Sequence, residues 1–210
     1  MAVLYDYLGR PIDKRRLRGE EAAPTVSGVR QVLSGHPAQN LNPQRLARLL
    51  LSAEQGDAEG YLEVAEEMEE KDLHYRSVLG TRKLQVGGLP VTVEAASDAA
   101  EDEKAADLVR DVLREGALDA AMQDILDAIG KGYSVCEVMW DTEGSAWYPF
   151  ELLWRDPRWF EFDRVNGTTL RLRGENGQPE DLAPAKYITH VHKYKSGLPI
   201  RGGLARPVAW

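Results

Sequence analysis

GKGYSVCEVMW, residues 130–140, divides the chain into two kinds of sequence. Upstream of it, apolar residues recur at helical spacing. Leu118, Ala121, Met122, Ile125, Leu126 and Ile129 lie on one face, and Gly130 and Gly132 end the period. Before them, Ala105, Leu108, Val109 and Val112 mark another helix, with Ser97 or Asp98 as a cap and Gly116 as its stop. Within the quoted stretch and after it, the pattern becomes aromatic and β-branched. AWYPFELLW (146–154), RWFEFD (158–163), TTLRLR (168–173) and KYITHVHKY (186–194) read as strands. Turn signals at Glu143-Gly144, Asn166-Gly167 and Asn176-Gly177 separate them. Helices first and a mainly antiparallel sheet afterwards define an α+β class.

Working outward gives a division of the chain. Residues 1–40, with Pro11, Pro24, Gly28, Gly35 and Pro37 and no sustained period, are expected to form an extended or irregular arm. Residues 41–130 form a helical region. Asn42-Pro43 starts a short helix through Leu46, Leu49, Leu50 and Ala53. A long acidic helix follows from about Asp57 to Gly80, carrying Tyr61, Ala65, Met68, Tyr75 and Leu79. LQVGGLPVTVEA (84–95) alternates about Gly87-Gly88 and predicts a β-hairpin near 83–95. Residues 131–200 make the antiparallel β region, and 201–210 begin a further apolar helix, as at the front of a longer protein.

The formal net charge is −8, unevenly spread. Glu54–Asp72 holds nine acids and one base, and Glu94–Asp127 holds eleven acids and three bases. From Glu151 onward there are ten bases and seven acids, and Lys14, Arg15, Arg16 and Arg18 cluster near the start. An acidic whole excludes a tight, non-specific DNA clamp, whose affinity comes from neutralising phosphates. The acidic runs read as solvated helix faces. A second reading makes Glu66, Glu67, Glu69 and Glu70 part of a surface that DNA slides past. No stretch is long and apolar enough to span a membrane, and the N-terminus has the wrong charge order for a signal peptide. A single cysteine, Cys136, fits folding in a reducing cytoplasm.

No catalytic set emerges. Cys136 sits in an apolar strand beside Glu137, as a structural thiol does. There is no phosphate-cradling loop or nucleophile elbow. His190 and His192 form an H-x-H pair on one strand face, so a metal site with Asp181 or Glu137 as third ligand is the chemical reading to test, in a metal-dependent phosphoesterase. The simpler reading is a polar strand surface. No cofactor is indicated. His36 and His74 stand alone. Trp140, Trp147, Trp154 and Trp159 fall within 20 residues and are expected mostly in a core, with one or two at an interface.

GYSVCEVMW, LLWRDPRWFEFD, TTLRLR and THVHKYKSGLPIRGGLARPVAW together are similar to the portal proteins of Mu-like phages. The last piece is the most specific: a histidine-bearing strand, then Ser-Gly-x-Pro, then Gly-Leu-x-Arg entering a helix. NPQRLARLLLSAEQGD and HYRSVLGTRK extend the likeness over nearly the whole chain. The residues that carry it are Arg155, Asp156, Pro157, Phe160, His192, Ser196, Gly197, Pro199, Gly203, Leu204 and Arg206. The resemblance implies a wing-like portion of a structural portal subunit, without a catalytic residue. It implies a homo-oligomeric ring, typically of twelve subunits, at one capsid vertex of the virion, assembled in the host cytoplasm. Double-stranded DNA passes through it without sequence specificity, and its partners are terminase, capsid and head-completion proteins. The competing reading is a free-standing, wing-like interaction module of a prophage remnant.

Overall fold

A computed structural model describes residues 4–32, 35–36, 38–144 and 147–209. Pro37, Ala146 and Trp210, assigned above to the arm, a strand and the terminal helix, lie outside the described residues. In residues 4–32 the one helix is α1 (Lys14–Arg18); the irregular stretch before it is hydrogen-bonded locally, while the Glu21 and Ala22 amides after it reach Glu137. α2 (Pro43–Glu54) starts as expected, with the Asn42 side chain accepting from the Arg45 N–H and Pro43 in the first turn.

The long acidic helix is two helices, α3 (Glu59–Lys71) and α4 (Leu73–Gly87). Asp72 breaks it, because its carboxylate accepts from the His74 and Tyr75 N–H groups at 3.0 and 2.9 Å and starts α4 afresh. The hairpin expected near 83–95 does not form. Residues 83–87 continue α4, which buries Tyr75, Leu79 and Lys83 at a spacing of four, and residues 88–99 run on without pairing as a strand. Two β-prone runs about a Gly-Gly pair mimic a hairpin signal, but the buried Lys83 anchors the first run as helix. α5 (Ala100–Arg114), α6 (Ala117–Leu126) and the short α7 (Ala128–Lys131) follow.

Two three-stranded antiparallel sheets complete the fold. The first has β1 (Tyr133–Asp141) at its centre, flanked by β2 (Tyr148–Arg155) and β6 (Tyr187–Val191). The second orders β3 (Phe160–Phe162), β4 (Leu170–Arg173) and β5 (Pro179–Asp181), and β5 was not anticipated from the sequence. A closing helix, α8, spans Ala205–Val208.

β1 reads as a continuous apolar run because both of its faces are covered. Ser134 faces the helices, donating from Oγ to the Ile125 carbonyl at 2.6 Å. Tyr133 and Val135 face the other way, into a core with Leu46, Leu50, Tyr61, Leu62, Phe160 and Leu172. A second core joins Ala65, Tyr75, Leu79, Leu126, Ile129 and Ala205. Only Trp159 of the four clustered tryptophans is fully buried, so the expectation that most of them lie in a core is corrected. Trp140 spends its indole N–H on the Ala185 carbonyl, and Trp147 lies under the Lys14 ammonium.

Of the α3 acids, Glu67 is buried, Glu63, Glu66 and Glu69 are half-buried, and Glu59 and Glu70 are exposed. Glu67 is buried and accepts from Lys71, His36 and the Ala38 N–H, while Glu69 pairs with Lys83. Asp127 closes a second network, with Lys83 at 2.9 Å and Lys131 at 2.8 Å. Burial alone would raise the Asp127 pKa and lower those of the lysines. Pairing outweighs it, holding Asp127 below its ordinary value and both lysines above theirs.

Asp127 therefore adds stability that is present above about pH 3.9 and disappears as pH falls through its lower folded value. The lysines add stability that is present below about pH 10.4 and disappears as pH rises through their folded values. Asp127→Asn should lower urea-unfolding stability at pH 7 by about 3–5 kcal/mol, because two buried ammonium groups lose their shared partner. It should also flatten the acid limb of the stability profile. An unchanged midpoint would show that the network contributes nothing net.

Candidate functional site

Several of the residues that carry the family likeness converge on the start of β1. Gly132 has φ 105°, a left-handed conformation that carries the chain from α7 into the strand. A side chain there would meet the Pro199 carbonyl at 2.9 Å and the Gly203 nitrogen at 3.2 Å. Gly203 lies flat on the same junction, against the backbone of Gly130, Lys131 and Gly132. The His192 N–H donates to the Gly132 carbonyl at 3.0 Å, and the Leu204 N–H donates to the Ile129 carbonyl at 2.9 Å. Arg206, from α8, reaches back to Glu54 at the end of α2. Ser196 and Gly197 form an exposed turn away from this junction.

The other half of the motif meets the same point from below. Tyr133, fully buried, donates its hydroxyl to the Pro157 carbonyl at 2.8 Å. Asp156 caps the 3-10 turn Pro157–Trp159 by accepting from the Arg158 N–H, and pairs with the Arg158 side chain. Phe160 packs edge-on to Tyr187, joining the two sheets. Thus Pro157, Phe160, His192, Pro199, Gly203 and Leu204 are gathered about Gly132-Tyr133, although they lie up to 72 residues downstream of Gly132.

Arg155 belongs to a buried charge cluster centred on Glu137. The Glu137 carboxylate accepts from Arg155 Nε at 2.7 Å and from the Glu21 and Ala22 N–H groups, and Lys186 Nζ lies 3.3 Å away. Glu137 and Lys186 are both fully buried. Lys186 also donates to the Leu17 and Val138 carbonyls at 3.0 Å, and Arg155 reaches Glu20 at 2.6 Å. Glu20, the Glu21 and Ala22 amides and the Leu17 carbonyl tie residues 17–22 to the face of the first sheet that carries Tyr133 and Val135, so the arm lies on its own chain. Sequence reading missed Lys186 entirely; the available signal was a carboxylate inside an apolar strand, which demands buried cations.

The metal reading finds no third ligand. His190 and Ser134 are register partners on the helix side of the sheet, and His190 Nδ1 contacts the Ile125 carbonyl at 2.8 Å. Glu137, an odd number of residues from Ser134, projects from the opposite face and is spent on Arg155 and Lys186. Asp181 pairs with Arg171. Among the described residues no group of three or more His, Cys, Asp or Glu side chains is placed to hold a metal ion. Cys136 is buried, and its thiol is pushed up to about 12, first by desolvation and then by Asp124.

The geometry builds a structural scaffold: a glycine-packed junction flanked by buried ion pairs. The chain belongs to the family of the portal protein of Mu bacteriophage, whose family model matches residues 62–210. It is 33% identical over its whole length to the portal protein of Escherichia phage Mu, and 34% identical over 99% of its length to Mu-like prophage FluMu protein gp29 of Haemophilus influenzae. The chain spans 41% of the length of each of these relatives. Among the described residues, no helix is long and apolar enough to cross a membrane.

Gly203→Ala should lower the urea midpoint by an amount equivalent to about 1–3 kcal/mol, since a methyl group there meets backbone on three sides. Ser196→Ala, in the exposed turn of the same motif, should stay within about 0.5 kcal/mol of the parent. Equal effects of the two changes would contradict the junction as the structural centre of the motif.

Proposed function

We propose that this chain is a wing-like portion of a portal subunit, which assembles into a ring at one capsid vertex through which double-stranded DNA is packaged and ejected. The match to the portal relatives over almost the whole chain carries this reading. Several of the residues that mark the family lie at the junction at Gly132-Tyr133, and their work there is architectural: they fix the angle between α7, β1 and α8. A rigid joint of this kind suits a subunit that must meet identical neighbours at one repeated geometry. The ring is proposed to have twelve subunits and to meet terminase, capsid and head-completion proteins. Its location is the virion vertex, with assembly in the host cytoplasm.

Two measurements test the reading. Light scattering behind size exclusion, over a range of concentrations, should show species several times the 23.4 kDa of the chain. Deletion of the encoding gene in a phage or prophage background should leave heads without packaged DNA. DNA-filled heads in the deletion strain would overturn the portal role.

A further inference from the structure

α5 packs on α6 and β2 but buries only Ala106. Leu108 and Val109 are 38% and 47% exposed, and Ala105 is exposed beside them. These residues lie at the i, i+3 and i+4 spacing of a contact face, yet among the described residues they are left partly exposed. Leu89 and Val91, in the unpaired segment after α4, are 65% and 54% exposed. A cleft of about 590 Å³ separates that segment from α5. Acids rim the helix: Glu101, Asp102, Glu103, Asp107 and Asp111 stand against Lys104, Arg110 and Arg114. This acidic, apolar face sits over β2, one edge of the first sheet.

The opposite edge of that sheet is β6, and it leads into positive charge. Lys193 and Lys195 are exposed, Tyr194 is 45% exposed and Val191 is 39% exposed. Arg82, exposed on α4, lies close enough to act on His192; burial lowers the His192 pKa first, with His190 and Arg82 adding to the shift. Among the described residues, no carboxylate lies within 4.0 Å of the charged groups of Arg82, Lys193 or Lys195. In a chain of net charge −8, this is a local concentration of unspent cations.

We infer that the two edges are halves of one head-to-tail contact, in which the acidic, apolar face of α5 on one copy meets the basic end of β6 on the next. The commitment to a second copy rests on charge complementarity and on the placement of unlike faces at opposite edges of one sheet. Faces at opposite edges of one subunit meet head to tail, so the contact propagates from copy to copy, and it closes as a ring where the rotation between copies closes. Opposite charges supply orientation and encounter rate, and the apolar residues supply burial. The inference rests on the portal reading and names the surface through which assembly proceeds.

The test is a charge exchange on the full chain, read by light scattering over a range of concentrations. One variant carries Glu101→Lys, Asp107→Lys and Asp111→Lys; the other carries Arg82→Glu, Lys193→Glu and Lys195→Glu. All six positions are on exposed or rim surface, and circular dichroism melting checks that both variants fold. Each variant alone should self-associate about tenfold more weakly or worse, because like charges now face each other. An equimolar mixture should recover parental association, since each variant's altered face meets a complementary one on the other. Parental assembly that ignores both exchanges, or loss without recovery on mixing, overturns the inference and leaves the portal reading standing. DNA-filled heads after gene deletion would instead remove the portal reading itself. A duplex DNA fragment serves as the control ligand: if the Lys193→Glu and Lys195→Glu changes abolish its binding near physiological salt and leave association unchanged, the basic patch is a nucleic-acid surface and the inference is wrong.

Discussion

The Glu137 carboxylate is the constraint on which the first sheet and the N-terminal segment both depend. It is fully buried at the middle of the central strand, and an ionised carboxylate in that position is tolerable only when its lone pairs are filled. Arg155 from β2, Lys186 before β6 and two amides of the arm fill them. Four segments far apart in sequence therefore meet at one charge. Each of these contacts shares in compensating one buried charge, and the two arm amides make the arm part of the same site as the edge strands. Geometry, rather than the number of ion pairs, gives this cluster its weight: exposed pairs such as Arg114 with Asp111 contribute little by comparison.

The junction at Gly132-Tyr133 does for the backbone what Glu137 does for charge. Two glycines allow the α7–β1 turn and the segment before α8 to touch backbone to backbone. The hydroxyl of Tyr133 fixes the segment after β2 to the same point. This explains why the most specific mark of a portal family can be a run of turn residues and small side chains without any reactive group. Their identities are dictated by close approach. Ser196 and Gly197 stand outside that explanation, since they form an exposed turn that touches nothing in the junction.

The order of helices before strands was legible because local signals and tertiary packing agree there. Asn42-Pro43 begins a helix, Gly130 and Gly132 lie where the helical run gives way to β1, and the aromatic run RWFEFD buries Phe160 and Phe162 in β3. Residues 84–95 were misread because a Gly-Gly pair between valines resembles a hairpin, while the feature that decides the matter, Lys83 held by Asp127 and Glu69, comes partly from 44 residues away. The break at Asp72 was hidden because its apolar neighbours keep helical spacing across it. The candidate metal pair was read from period-two spacing, but β6 ends at Val191, one residue before His192, and only the register shows Glu137 on the face opposite His190. Lys186 was invisible, since a lysine before a strand usually faces water and its burial depends on residues 17 and 137–138.

The contrast between a charge-locked interior and an uncovered α5 face suits a subunit whose fold is finished before its assembly is. Native-state hydrogen exchange at the Glu21 and Ala22 amides, the two donors from the arm to Glu137, tests this account most directly. Both amides should exchange only through global unfolding, with protection matching that of the β1 amides. Exchange at the rate of a fraying terminus, while β1 stays protected, would show that the arm is an independent appendage and that Glu137 does not unite the fold.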